Sequence, residues 1–386
     1  MFSKPSLKPF NFFFDPAPHD VNCSNNLFSY LKNASQEIVP GLENSVCFNP
    51  REIGLPWSTA FPIAVHSKYW QDARIAAEDL LRRIRFGQNA DQEELNERDH
   101  LLLDSAVSAP IHMFPGASSS QAKVLAKGNV FIFVHDGNGQ QRTWSGKNVL
   151  YNIIIITSDH LTFEPLPEDS SAYHRQWKNQ LFQEWVNECV EENINGGLQF
   201  VHGALHWAKH TLENPLRSGG EFTVWSDYVE YRNKDFLSIA VSGMLQLSTG
   251  VEVSDSEKLP LSEMYTLYMT HFSLTNDLYS YEKEVIEAEE YGTPVTNGVA
   301  VLEQILNVSG ETAKSILRSI LIGLEKKLDA IYNAHTKSGK LNLRQLRYAR
   351  AMLEGLAGNI FYSATAGRYA RVVPGSRILS WFPRFE

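Results

Sequence analysis

From Tyr69 onward, apolar residues recur at three- and four-residue spacing, and this period constrains the fold more than any other feature of the chain. Ala73, Ala76, Ala77, Leu80, Leu81 and Ile84 set the pattern, which lines them along one face of a helix. Further helical stretches are expected over roughly 120–136, 174–193, 197–213, 223–249, 261–288, 310–335 and 343–366. Proline and glycine punctuate them at Pro110, Pro115 and Gly116, at Pro165 and Pro167, and at Gly219 and Gly220. Residues 1–60 hold no sustained period and read as an irregular segment packed on the core, residues 61–370 as one helical domain, and 371–386 as a tail. The run VLYNIIIIT, Val149 to Thr157, has the β-branched composition of a strand. Nothing near it supplies a partner strand, so it is taken as buried helix and the chain as all-α.

Composition narrows the possible partners. A net charge of −9 disfavours nucleic acid and anionic lipid surfaces. Cys23, Cys47 and Cys189 are too few and too scattered for a disulfide framework or a zinc site, which points to a reducing, cytoplasmic setting. No stretch approaches the ~20 apolar residues needed to cross a bilayer, and the Phe12 to Phe14 run is too short for a signal-peptide core. No P-loop, nucleophile elbow or dinucleotide-binding glycine pattern is present. His202, His206 and His210 share a helix face but lack a supporting carboxylate, so helix packing is favoured over a metal site.

The informative stretch runs from Asn276 to Glu284. Asn276, Ser280 and Glu284 fall at i, i+4 and i+8, which places an amide oxygen, a hydroxyl and a carboxylate along one helix face. Three oxygen donors suit a hard divalent cation such as Mg²⁺. With Asp277 and Lys283 in place, the string resembles the NDxxSxxKE metal motif of class I terpene synthases, the fungal members in particular. Other parts of that family follow in order. Gly358-Asn359 and Tyr362-Ser363 lead to Arg368-Tyr369, similar to the family's C-terminal "RY" pair. Ser226 to Asp235 resembles the segment that carries the diphosphate-sensing arginine and, three residues on, its linker aspartate. Asn129 to Asp136 resembles the approach to the aspartate-rich motif, but Gly137, Asn138, Gly139 and Gln140 replace its remaining acids. Asp136 is the carboxylate left there; Asn138 or Gln140 could assist it, and Asp104 and Asp159 are conceivable substitutes.

The resemblance implies a single helical bundle around a deep apolar cavity. It implies metal ligation by Asp136, Asn276, Ser280 and Glu284, with about three Mg²⁺ per site and Mn²⁺ as a substitute. It casts Arg232, Lys283, Arg368 and Tyr369 as the groups that grip and ionise a prenyl diphosphate. Asp235, Phe236, Phe133, Phe272 and Tyr362 would meet the substrate together with Arg232, with Leu237 near a helix break and Phe131 and Phe361 as further aromatic candidates. Farnesyl diphosphate, cyclised to a sesquiterpene by a monomer or homodimer, is the first expectation. A diterpene synthase acting on geranylgeranyl diphosphate and a non-catalytic relative are the alternatives, while a trans-prenyltransferase would need two aspartate-rich motifs that this chain lacks.

Overall fold

A computed structural model describes residues 7–17, 26–32, 41–139, 170–214, 217–373 and 376–378. The Val149–Thr157 run, Asp159 and Gln140 lie outside the described residues, as do the side chains of Asp136 and Asn138. The architecture is all-α. Helix α1 (Trp70–Phe86) buries Ala73, Ala77, Leu80, Leu81 and Ile84, the expected stripe. After it come α2 (Glu97–Met113), α3 (Ser119–Gly139), α4 (Ser170–Glu192), α5 (Ile194–Glu213), α6 (Trp225–Asp235) and α7 (Ser238–Thr249). The second half comprises α8 (Ser262–Tyr291), α9 (Gly298–Leu306), α10 (Gly310–Ser338) and α11 (Leu343–Thr365), with a last turn at Gly367–Ala370.

Three expectations are corrected. Pro110 does not interrupt the chain but sits inside α2, near its end. A proline there removes one helical hydrogen bond; burial of every residue from Ser105 to Met113 offsets that loss, and Asn96 caps the other end by accepting from the Asp99 N–H at 2.9 Å. The stretch expected as one helix over 223–249 is two, α6 and α7, parted at Phe236 and at Leu237, whose φ of +43° ends the helical path. The N-terminal segment also contains strands: β2 (Ser45–Phe48) pairs antiparallel with β3 (Ala64–Ser67), while β1 (Phe12–Phe13) pairs with β4 (Arg377–Ile378).

Buried charge stitches that segment to the bundle. Glu325 of α10 accepts from Thr59 Oγ1 at 2.6 Å and from the Ala60 N–H at 2.7 Å. Asp15 pairs with Arg318, and Lys8 with Asp104. Glu325 is buried in company of two hydrogen-bond donors, and Asp15, Arg318 and Lys8 in company of an opposite charge, as a low-dielectric interior demands. Phe28 and Phe61, both from the N-terminal segment, stack at 4.2 Å.

The centre of the bundle is α8. From Tyr268 to Ser280 every residue is buried except Asn276, which is half-buried. Helix α11 crosses α2 so tightly that a Cβ on Gly358 would lie 1.9 Å from the His112 carbonyl oxygen. A side chain at that crossing would force the two backbones apart, so glycine sets the spacing behind the site.

Candidate active site

Four-residue steps along α8 place Tyr268, Phe272, Asn276, Ser280 and Glu284 on one face, aromatic at one end and oxygen-rich at the other. Ser280 Oγ donates to Glu284 Oε1 at 2.6 Å. The second oxygen, Oε2, accepts from Asn297 Nδ2 at 3.0 Å, and the same amide donates to the Asp277 carbonyl at 2.9 Å. Asn297 is fully buried and caps α9 by accepting from the Val299 N–H at 2.8 Å. The start of α9 is thereby clipped to the middle of α8.

Asp277 faces away from this ladder and is wholly buried. Its Oδ2 accepts from the Tyr228 hydroxyl and, at 3.1 Å, from the Gly298 N–H; its Oδ1 accepts from Arg232 Nε at 2.9 Å. A Cβ on Gly298 would lie 3.0 Å from Asp277 Oδ2 and 3.2 Å from the Tyr228 ring, so glycine allows this approach without displacing either neighbour. Burial pushes the Asp277 carboxyl up to about 6, although Arg232 pulls the other way; it is ionised at neutral pH. Burial also drives the Tyr228 phenol well up, with Asp277 adding to the shift, so this hydroxyl stays a donor. For Arg232, burial favours loss of the proton, but Asp277, Tyr228, Asp235 and Glu284 outweigh it and hold the guanidinium charged.

Arg232 joins three of the sequence elements. Its Nη1 donates to Asp235 Oδ2 at 3.0 Å and its Nη2 to Asn276 Oδ1 at 2.9 Å, while the guanidinium lies 4.9 Å from the Phe236 ring at the α6–α7 break. Asn276 Nδ2 donates in turn to the Tyr369 hydroxyl at 2.7 Å. Arg368 lies 4.9 Å from the ring of Phe133, Tyr362 sits 6.3 Å from Tyr369, and Phe272 packs edge-on against Phe236 at 5.6 Å.

Other candidates are placed elsewhere. Phe131 packs on Phe182 and Trp185, and Phe361 on Phe10, Phe48 and His112, both in the core. Asp104 is engaged by Lys8. Lys283 pairs with Glu287 one turn along α8. His202 and His206 are exposed, and among the described residues no three His, Cys, Asp or Glu side chains cluster to hold a metal. The Asn276, Ser280 and Glu284 donor set mixes neutral oxygens with one carboxylate, and so escapes that kind of cluster. Its hard oxygens, adjacent on one ridge, would suit a hard divalent cation that takes its remaining ligands from elsewhere. Tyr228, Asn297 and Gly298 carry no signal in the sequence; Asp277 was visible as part of the motif string, but not as the hub.

A family profile described as "Terpene synthase family 2, C-terminal metal binding" matches residues 146–327. Among curated proteins, Terpene cyclase 6 of Gibberella fujikuroi is 28% identical over 83% of this chain and 84% of its own length. Terpene cyclase aneC of Aspergillus aculeatus is 26% identical over 89% of this chain and 77% of its own. Over most of its length the chain is similar to fungal terpene cyclases. The crystal structure of aristolochene synthase from Penicillium roqueforti shares the fold, with a TM-score of 0.59 over 75% of this chain and 94% of that one, at 16% identity. These terpene cyclase relatives and the shared fold indicate a lyase, and the matched profile is that of a metal-binding domain. Among the described residues no helix is long and apolar enough to cross a membrane.

Proposed function

We propose that this terpene synthase ionises farnesyl diphosphate with Mg²⁺ and cyclises the resulting cation to a sesquiterpene. What carries the reading is the convergence on Asn276: the guanidinium of Arg232 meets its oxygen and the hydroxyl of Tyr369 meets its nitrogen, so groups 44 and 93 residues away along the chain share one amide. Asn276, Ser280 and Glu284, with Asp136 from the end of α3, would hold Mg²⁺. Bound there, the cations would act as Lewis acids on the departing diphosphate and offset its charge in an otherwise acidic protein.

The chain's own residues do the rest. Arg232 and Arg368 offer planar forks that match phosphate oxygens, and both stay charged throughout. Lys283 adds a further cation on α8, and Tyr369 a hydroxyl donor. Donors fixed before reaction stabilise the charge that builds on the leaving group without reorganising. Asp235 ties Arg232 to the α6–α7 break, so movement of the guanidinium is passed to Phe236 and Leu237. Phe133, Phe236, Phe272 and Tyr362 present ring faces, each worth ~0.5–2 kcal/mol to a nearby cation, and exclude the water that would quench it. We assign this machinery to residues 61–370 as one domain acting in the cytoplasm.

Incubation with farnesyl and with geranylgeranyl diphosphate in separate reactions, followed by gas chromatography and mass spectrometry, tests the chain length. Fifteen-carbon products from the first are expected; products from geranylgeranyl diphosphate alone would refute the sesquiterpene assignment.

A further inference from the structure

Each nitrogen of the Arg232 guanidinium has an acceptor. Nε meets Asp277, Nη1 meets Asp235 and Nη2 meets Asn276, with Asp277 Oδ1 also 2.8 Å from Nη2. For the Nη2 end of the fork to meet a diphosphate, the arginine has to exchange one of the acceptors that hold it. Two of these partners are carboxylates, which add the attraction of opposite charges to the hydrogen bond, whereas the third is a neutral amide. The partner released first is therefore the neutral amide of Asn276. That amide is not free to turn aside on its own: its nitrogen is engaged by the Tyr369 hydroxyl, and a flip would set an NH₂ group against the guanidinium. Asp277 in turn cannot follow the arginine, because Tyr228 and the Gly298 N–H fix its other oxygen.

The geometry points to Asn276 as an internal stop on Arg232. Its Oδ1 is at once the oxygen assigned to the metal and the acceptor that occupies Nη2, so a cation at Asn276 and a free Nη2–H arise from the same exchange. Arg232 pivots on its bond to Asp277, releases Asn276 and turns Nη2 toward phosphate oxygens. In the absence of the cation, Asn276 competes with diphosphate for that donor, which disfavours binding of a diphosphate whose charge no cation balances. This inference rests on the roles proposed above for Arg232 and Asn276.

The test is a calorimetric titration of the purified full-length chain with inorganic diphosphate in the presence of chelator. Asn276→Ala removes the competing oxygen and is expected to bind metal-free diphosphate more tightly than wild type by ~10-fold or more, the range that loss of one hydrogen bond to a charged group allows. Asn276→Leu, which keeps the volume beside Tyr369, is expected to shift the same way, and damage to the fold would weaken binding instead of strengthening it. Affinity equal to or below that of wild type in both variants overturns the proposal. The titration contains neither metal nor prenyl chain, so that outcome leaves the cyclase reading standing, whereas failure of the cyclase reading shows as absent turnover by the wild-type protein with Mg²⁺.

Discussion

Tyr228→Phe removes one hydroxyl from a site where both partners are fully buried, and its cost can be worked from the contacts. The lost bond runs to an ionised carboxylate, a class worth ~1.5–3 kcal/mol in stability. Phenylalanine keeps the ring in place beside Trp225 and Phe222, so no cavity term adds to this. Asp277 Oδ2 retains the Gly298 N–H and is not orphaned, which keeps the loss below the ~3–5 kcal/mol expected when a buried charge is stripped of its partner. A loss of ~1.5–3 kcal/mol is therefore expected in urea denaturation followed by circular dichroism, with an unchanged slope. Combined with Asp277→Asn in a double-mutant cycle, the two changes should be non-additive by ~0.5–3 kcal/mol, because they share one bond. A loss under ~0.5 kcal/mol, or strict additivity, would refute the assignment of Asp277 as the hub that holds Arg232.

Asn276→Ala and Asp136→Ala should each abolish or nearly abolish turnover with Mg²⁺, measured by diphosphate release; full activity in Asp136→Ala would show that the first metal motif lies elsewhere. Gly358→Ala should cost at least ~1–3 kcal/mol, because its methyl meets the His112 carbonyl across the α2–α11 crossing, and a melting temperature equal to wild type would contradict that packing. Acid should destabilise the protein through His66 and His112. Burial pushes His66 down to about 3, and burial together with His66 and Lys8 pushes His112 well below the usual value of 6.5. The unfolded chain thus binds protons that the fold refuses, so stability is complete above pH 6.5 and drains as pH falls toward 3. His66 alone accounts for ~2 kcal/mol at pH 5. Denaturation at pH 7 and pH 5 should show a smaller drop in His66→Gln, and equal drops would count against it.

The helical period made α1 legible because its apolar face alternates with charge. Helix α2 was hidden by Pro110, whose local preference is overruled by the burial of the turn around it. The four-residue strands β2 and β3 gave no usable alternation; β3 is buried at every position. The oxygen ladder on α8 was readable, since i, i+4, i+8 spacing is local to one helix. The Tyr228 contact, 49 residues from Asp277, leaves no trace in a single sequence because only tertiary packing creates it. Choosing between Phe131 and Phe133, or between Phe361 and Tyr362, needed the structure for another reason. Residues one or two apart on a helix point to different sides, and composition does not say which side faces Arg368 and Tyr369. Phe133 lies against Arg368 and Tyr362 against Tyr369, while Phe131 and Phe361 pack on other core rings.

The most direct test of the central claim is diphosphate release from farnesyl diphosphate by the purified wild-type protein, with Mg²⁺ and with chelator, alongside mass spectrometry of the organic extract. Release that requires Mg²⁺ and is matched by a cyclic fifteen-carbon product is the expected result. Release that persists under chelator, or no terpene from any prenyl diphosphate, would contradict it.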